Sequence, residues 1–169
     1  RAWHAGESSW RGLEDINSRS IGIEIVNSGE KKLKKYPKIQ IEELIVLIKY
    51  LKKKFKIRSH NILGHSDIAP LRKIDPGKHF PWEELYKNKI GIWSEIQELG
   101  KVLEKSQLIY FLQNLEKIGY QDLKPYKVSQ KNKKIIDAFH RHFAPLLVGK
   151  KPTTTSLLKS IKLLKLNKS

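Results

Sequence analysis

The chain has 169 residues, no Cys and a formal net charge of +17. That length suits one medium domain, or a small domain with a partner. Without Cys there can be no disulfide, thiolate metal ligand or Cys nucleophile, so a metal site would have to use His and carboxylates. No stretch approaches the roughly 20 apolar residues of a membrane span, so no transmembrane segment is expected.

The charge is uneven. Residues 1–104 carry a net +6 and residues 105–169 a net +11, and the basic residues are 28 Lys against 6 Arg. A Lys-rich excess suits diffuse attraction to an anionic polymer, and a solvated Lys surface is the plainer alternative. Arg is the residue suited to bidentate reading of phosphates and bases. Its scarcity, with no recognised nucleic-acid motif, argues against a specific nucleic-acid partner.

Along the chain, residues 1–19 read as loop with short elements. The run Ser20–Asn27 places Ile21, Ile23 and Ile25 at alternate positions, which predicts a strand, and Asn27-Ser-Gly-Glu30 ends it. Pro37 opens a helix to about Phe55, with apolar residues at 41, 44, 45, 48, 51 and 55 and Lys52, Lys53 and Lys54 in its last turn. Asn61–Gly64 is expected to be a second short strand, residues 65–81 with three Pro an ordered loop, and Trp82–Leu85 part of a short helix. Residues 90–105 read as a crossing segment. Helical patterns follow at about 106–118, 130–143 and 154–165, with Gly119 closing the first and Ser129 and Thr154 or Thr155 as N-caps of the others.

Two places carry chemistry. His65 and Asp75 lie ten residues apart around a Pro-bounded loop that can fold back on itself, and imidazole with carboxylate suits zinc. Lys73 could aim an ammonium at the same place and stabilise an oxyanion. Glu24 is the one charged side chain in an apolar strand. It reads either as a general acid/base beside a metal-bound water or as an edge residue facing water. Spacing permits a zinc hydrolase without establishing one.

The segments Ala2-Trp-His-Ala-Gly6, Asn17-Ser-Arg-Ser-Ile-Gly-Ile-Glu24, Gly64-His-Ser-Asp-Ile-Ala-Pro70 and Arg72-Lys-Ile-Asp-Pro-Gly77 together resemble the type 2 N-acetylmuramoyl-L-alanine amidase family over roughly residues 1–90. The resemblance implies zinc held by His65 and Asp75, with Glu24 as acid/base and Lys73 assisting the transition state. His4, Asn17 and Arg72 would contact substrate, His4 packing at or lining the site. The implied reaction is hydrolysis of the amide between N-acetylmuramic acid and L-alanine in peptidoglycan or a muropeptide. In that family a third zinc ligand, a His, precedes the Trp-His-Ala-Gly motif. The expectation is therefore a catalytic domain lacking its start, and the rival reading is a non-catalytic peptidoglycan-binding fragment.

Leu115-Glu-Lys-Ile-Gly-Tyr120 and Ile135-Ile-Asp-Ala-Phe-His-Arg-His-Phe143 resemble a small three-helix peptidoglycan-binding module, with His140 where that module has Gln. The expected architecture is α/β: a mixed central β-sheet flanked by helices over residues 1–95, then a three-helix domain over 105–169. The wall-binding resemblance points to the cell envelope or periplasm, with a cytoplasmic recycling role as the other location such amidases occupy.

Overall fold

A computed structural model describes residues 2–30, 35–96, 100–124 and 129–166. Arg1, the middle of the expected crossing segment at 97–99 and the last three residues of the expected second unit lie outside them. Among the described residues the fold is predominantly helical. Strand is confined to an antiparallel hairpin, β1 (Ser9–Trp10) and β2 (Leu13–Glu14), paired Ser9 to Glu14 and Trp10 to Leu13. Arg11 and Gly12 form its two-residue turn, both at positive φ, as a turn matching the strand twist requires.

The expected mixed central sheet is therefore corrected. Residues 20–27 belong to no strand or helix and pair with no neighbouring strand, and Ile21, Ile23 and Val26 are exposed. Asn61–Gly64 is not a strand either. Asn61 ends a 3-10 turn, Ser59–Asn61, and residues 62–64 are unladdered. Alternation of apolar residues fixes which side chains share a face. It does not supply the partner whose N–H and C=O groups make a ladder.

The helices are α1 (Lys38–Lys54), a single turn α2 (His65–Ile68), α3 (Trp82–Lys87), α4 (Lys105–Ile118), α5 (Gln130–Phe143) and α6 (Thr154–Leu166). Helix α1 buries Ile41, Leu44 and Ile45, the stripe that its spacing marks. The hydroxyl of Ser129 caps α5 by accepting from the Asn132 N–H at 3.1 Å. Helices α4 and α6 pack together, and Asn114 reaches across to the Ser160 hydroxyl at 3.1 Å.

One continuous apolar core runs through both halves of the chain, from Trp10, Ile41, Leu44 and Trp82 to Phe111, Leu115, Phe139 and Leu163. The hairpin is the joint on one side. Trp10 meets the Tyr120 ring edge-on at 5.0 Å, and Arg11 donates from its backbone N–H to the Gly119 carbonyl and from Nε to the Ile118 carbonyl. A cation on the last carbonyls of α4 also suits the negative end of that helix. Gly119 has to be glycine: its φ is 146°, and a Cβ there would lie 2.6 Å from the Trp10 ring. On the other side, Arg141 of α5 meets Glu30 at 3.0 Å, and the same Glu30 oxygen accepts the Lys78 N–H.

Candidate functional site

Gly64 immediately precedes α2, and its missing side chain lets Pro76 and Trp82 approach; a Cβ would stand 2.8 Å from Pro76. His65 is the first residue of α2 rather than the end of a strand. The ten-residue loop does fold back. The Ser66 N–H donates to the Asp75 carbonyl at 2.8 Å, and His65 Nδ1 lies 3.0 Å from Asp75 Oδ2. The hydrogen bond from His65 holds the Asp75 carboxyl below its usual range, against the opposing effect of burial, and the Lys73 charge adds a smaller push in the same direction. His65, Asp75 and Lys73 thus share one neighbourhood.

The segment 4–7 closes over it. His65 Nε2 and the Arg72 guanidinium both reach the Ala5 carbonyl, at 3.0 and 2.9 Å, and Arg72 also donates to the Glu7 carbonyl at 2.7 Å. Buried Asn17 pins the same turn from beneath. Its Oδ1 accepts the Ala5 and Gly6 N–H groups at 2.8 and 3.2 Å, and its Nδ2 donates to the Gly6 carbonyl at 2.9 Å. Asn17 and Arg72, expected at substrate, here shape the loop that would meet it. His4 bonds Ser20 Oγ at 2.8 Å and lies against Gly22, where a Cβ would sit 2.6 Å from the ring. Glu24 stands two residues further along that extended segment. It is exposed, and among the described residues it forms no hydrogen bond or ion pair.

These residues do not fit a zinc centre, and the zinc expectation is corrected. Among the described residues, no group of three or more His, Cys, Asp or Glu side chains could hold a metal ion. His65 and Asp75 are a pair, whereas a hydrolytic zinc is held by three protein ligands and a water. A zinc-bound imidazole presents a nitrogen lone pair to the metal, and here each His65 nitrogen faces an oxygen acceptor. Zinc-dependent hydrolysis of the muramoyl–alanine amide loses its support with the metal site. The arrangement can present hydrogen-bond donors, an imidazole and a carboxylate to a polar ligand.

The residue that ties this site to the rest of the molecule is Asp67, part of the Gly64–Pro70 motif but given no role by the sequence. It is 1% exposed. Its Oδ2 accepts from the Gly64 N–H at 2.8 Å and lies 2.7 Å from His142 Nδ1, and its Oδ1 accepts from the Tyr120 hydroxyl at 2.6 Å. Burial first, and then the Asp67 carboxylate, push the Tyr120 hydroxyl well above its ordinary value, so it stays a donor. The His142 ring stacks on Trp82 at 3.8 Å, and Trp82 meets Phe80 edge-on at 4.6 Å. A buried acid three residues after a glycine, at the N-terminus of a helical turn, was the available signal. Its partners on α5 and after α4 carried none.

Known proteins resemble this chain in sequence and in fold. The family model described as N-acetylmuramoyl-L-alanine amidase matches residues 1–78. N-acetylmuramoyl-L-alanine amidase AmiD of Escherichia coli is 37% identical over 158 residues, covering 86% of this chain and 57% of the relative. The 1,6-anhydro-N-acetylmuramyl-L-alanine amidase AmpD of Haemophilus influenzae is 45% identical over 83 residues, covering 49% of this chain and 44% of the relative. The chain thus spans about half the length of the curated relatives it matches. Among solved structures, E. coli AmiD in complex with anhydro-N-acetylmuramic acid-L-Ala-D-gamma-Glu-L-Lys superposes with a TM-score of 0.85 at 33% identity, over 98% of this chain and 68% of that one. AMPDH3 of Pseudomonas aeruginosa, in complex with anhydromuramic pentapeptide, gives 0.79 at 29% identity, over 99% and 70%.

Proposed function

Because the chain belongs to the N-acetylmuramoyl-L-alanine amidase family, we propose that it binds muropeptides, the sugar–peptide fragments of peptidoglycan, without hydrolysing them. The observation that carries this reading is the convergence of the motif segments on one face. The Ala5–Glu7 turn, the His65–Asp75 loop, Arg72 and the His4–Gly22 contact meet there. Two solved relatives of similar fold hold anhydromuramyl peptides, and a polar face of this kind suits their mixture of hydroxyl, amide and carboxylate groups.

In this reading Lys73 and the Arg72 charge attract the carboxylates of the peptide stem, while His65, Arg72 and Asn17 hold the Ala5–Glu7 turn in the shape that lines the face. Glu24, on the exposed segment alongside, contributes a polar edge rather than an acid/base. Residues 105–169 serve as the wall-facing module. Their +11 charge supports that role, whereas the residues that carry the module likeness, Tyr120 and Phe139, are buried structural residues. The working location is the cell envelope.

The test is calorimetric titration of the chain with an anhydromuramyl tripeptide, with the same samples then read by mass spectrometry. Saturable binding with intact ligand is the expected result. Release of free stem peptide would overturn binding without turnover, and no heat of binding would remove the muropeptide reading.

A further inference from the structure

Away from the muropeptide face, the C-terminal ends of α1 and α3 border a wide, solvent-open cavity of about 750 Å³. Lys49, Lys52 and Lys53 of α1, Lys56 and Arg58 just beyond it, and Lys89 after α3 line it, and none of its lining residues is acidic. A further lining lysine, Lys87, is paired with Glu83 at 2.9 Å. Lysines at a helix C-terminus are ordinary complements to the helix dipole. Two of these are not ordinary.

Lys56 and Lys89 occupy the same position in two equivalent helix endings. After α1, the Ile57 N–H returns to the Lys52 carbonyl. After α3, the Ile90 N–H returns to the Leu85 carbonyl and the Lys89 N–H to the Tyr86 carbonyl. This closing turn needs a left-handed residue, a place glycine fills most easily. Here lysine fills it twice, at φ 52° and 64°. Each left-handed lysine is strained relative to an ordinary backbone conformation. Backbone preference therefore runs against both residues, and what they share is a positive charge on one cavity.

The adjoining face of α1 is apolar where it should be polar. Val46 is 64% exposed and Tyr50 57%, with Leu47 beside them, all pointing away from the buried stripe of Ile41, Leu44 and Ile45. The Lys54 ammonium lies over the rings of both Tyr50 and Phe55, at 5.4 and 5.5 Å. Exposed Glu42 and Glu43 border this face one turn before Val46, and the lysines follow it, so the C-terminal half of α1 has the composition of an interfacial helix, which lies on an anionic bilayer. Lysine is a compact point charge suited to phosphodiester headgroups, with none of the planar geometry by which Arg reads particular phosphates.

We propose that the cavity between the ends of α1 and α3 binds the headgroups of an anionic phospholipid surface, with Val46, Leu47 and Tyr50 entering the interface beside it. None of these residues belongs to the muropeptide face, so the two readings stand or fall separately.

The experiment is co-sedimentation of the full chain with vesicles of phosphatidylcholine alone, or of phosphatidylcholine mixed with phosphatidylglycerol. Binding to the mixed vesicles only, weakened by salt, is expected. Replacing Lys56→Gly together with Lys89→Gly should weaken it about tenfold while leaving the Tm equal or higher, because glycine relieves both turns. Replacing Val46→Ser with Tyr50→Ser should also weaken it, with the charge untouched. Equal binding to both vesicle types, or unchanged binding by the glycine pair, overturns the proposal. So does serine-variant binding equal to the parent's alongside binding to duplex DNA at matching affinity, which would make the cavity a site for soluble polyanions.

Discussion

Asp67 and His142 stand 2.7 Å apart, carboxylate oxygen to Nδ1, across a sequence separation of 75 residues. Both side chains are all but removed from solvent. With the Tyr120 hydroxyl on the other carboxylate oxygen, they fasten the start of α2, and so His65, to the helices of the C-terminal half. The shape of the face proposed for muropeptide is set by residues far from it in sequence.

Removing the Tyr120 hydroxyl should therefore destabilise the whole fold. In Tyr120→Phe the Asp67 oxygen stays buried and loses a donor, and the expected loss is about 2 kcal/mol. Urea unfolding of the variant beside the parent reads this directly. A midpoint unchanged within error would mean that water replaces the hydroxyl.

Asn17 acts more locally. Its amide makes three hydrogen bonds to the Ala5–Gly6 turn. Asn17→Ala should loosen that turn and raise the Kd for an anhydromuramyl tripeptide about tenfold, roughly 1.4 kcal/mol. Calorimetric titration checks it, and Asn17→Asp, which restores only the acceptor, should fall between the two.

His140 predicts an acid limit to stability. Burial pushes its imidazole down from 6.5 to about 4, and Nε2 lies 2.9 Å from the Ser156 hydroxyl. Between those two pH values the unfolded chain takes up a proton that the folded chain refuses. Stability contributed here is full above about pH 6.5 and falls as the pH drops towards 4, by roughly 3 kcal/mol in all. His140→Gln, the residue that the resembling module carries, should flatten the Tm between these values.

Lys159 has the same sign at the alkaline end. It is 4% exposed, its ammonium lies 4.8 Å from the Trp93 ring and donates to the Ser94 carbonyl, and burial lowers it from 10.5 to about 8. Above about pH 8 the folded chain releases a proton that the unfolded chain keeps. This group's contribution therefore rises with pH up to about 10.5. Thermal melts of Lys159→Met should lack that rise; an identical slope would assign it to other lysines.

The helices were legible because their signals are local. The stripe at 41, 44, 45 and 48, the Ser129 cap and Gly119 after α4 each act within one or two turns. The His65–Asp75 loop was legible for the same reason, since its closure is a matter of ten residues. The sheet was not. Ile21, Ile23 and Ile25 declare alternating faces and nothing about a neighbouring ladder, and the one hairpin present is two residues long on each side. Zinc was implied by the family resemblance, on residues whose hydrogen bonds turn out to be to each other and to the Ala5 carbonyl. The roles of Tyr120 and His142 were invisible, because each becomes polar machinery only once it meets Asp67.

The Asp67 contacts also impose an order on biosynthesis. Residues 64–75 leave the ribosome before the Tyr120 and His142 partners of Asp67, which follow it by 53 and 75 residues. Until α5 is made, the nascent loop carries an acid without its native partners and stays open to water. The face that would receive muropeptide thus matures only after α5 has been synthesised, and a nascent chain stalled before α5 would be recognisable by its exposed Trp82.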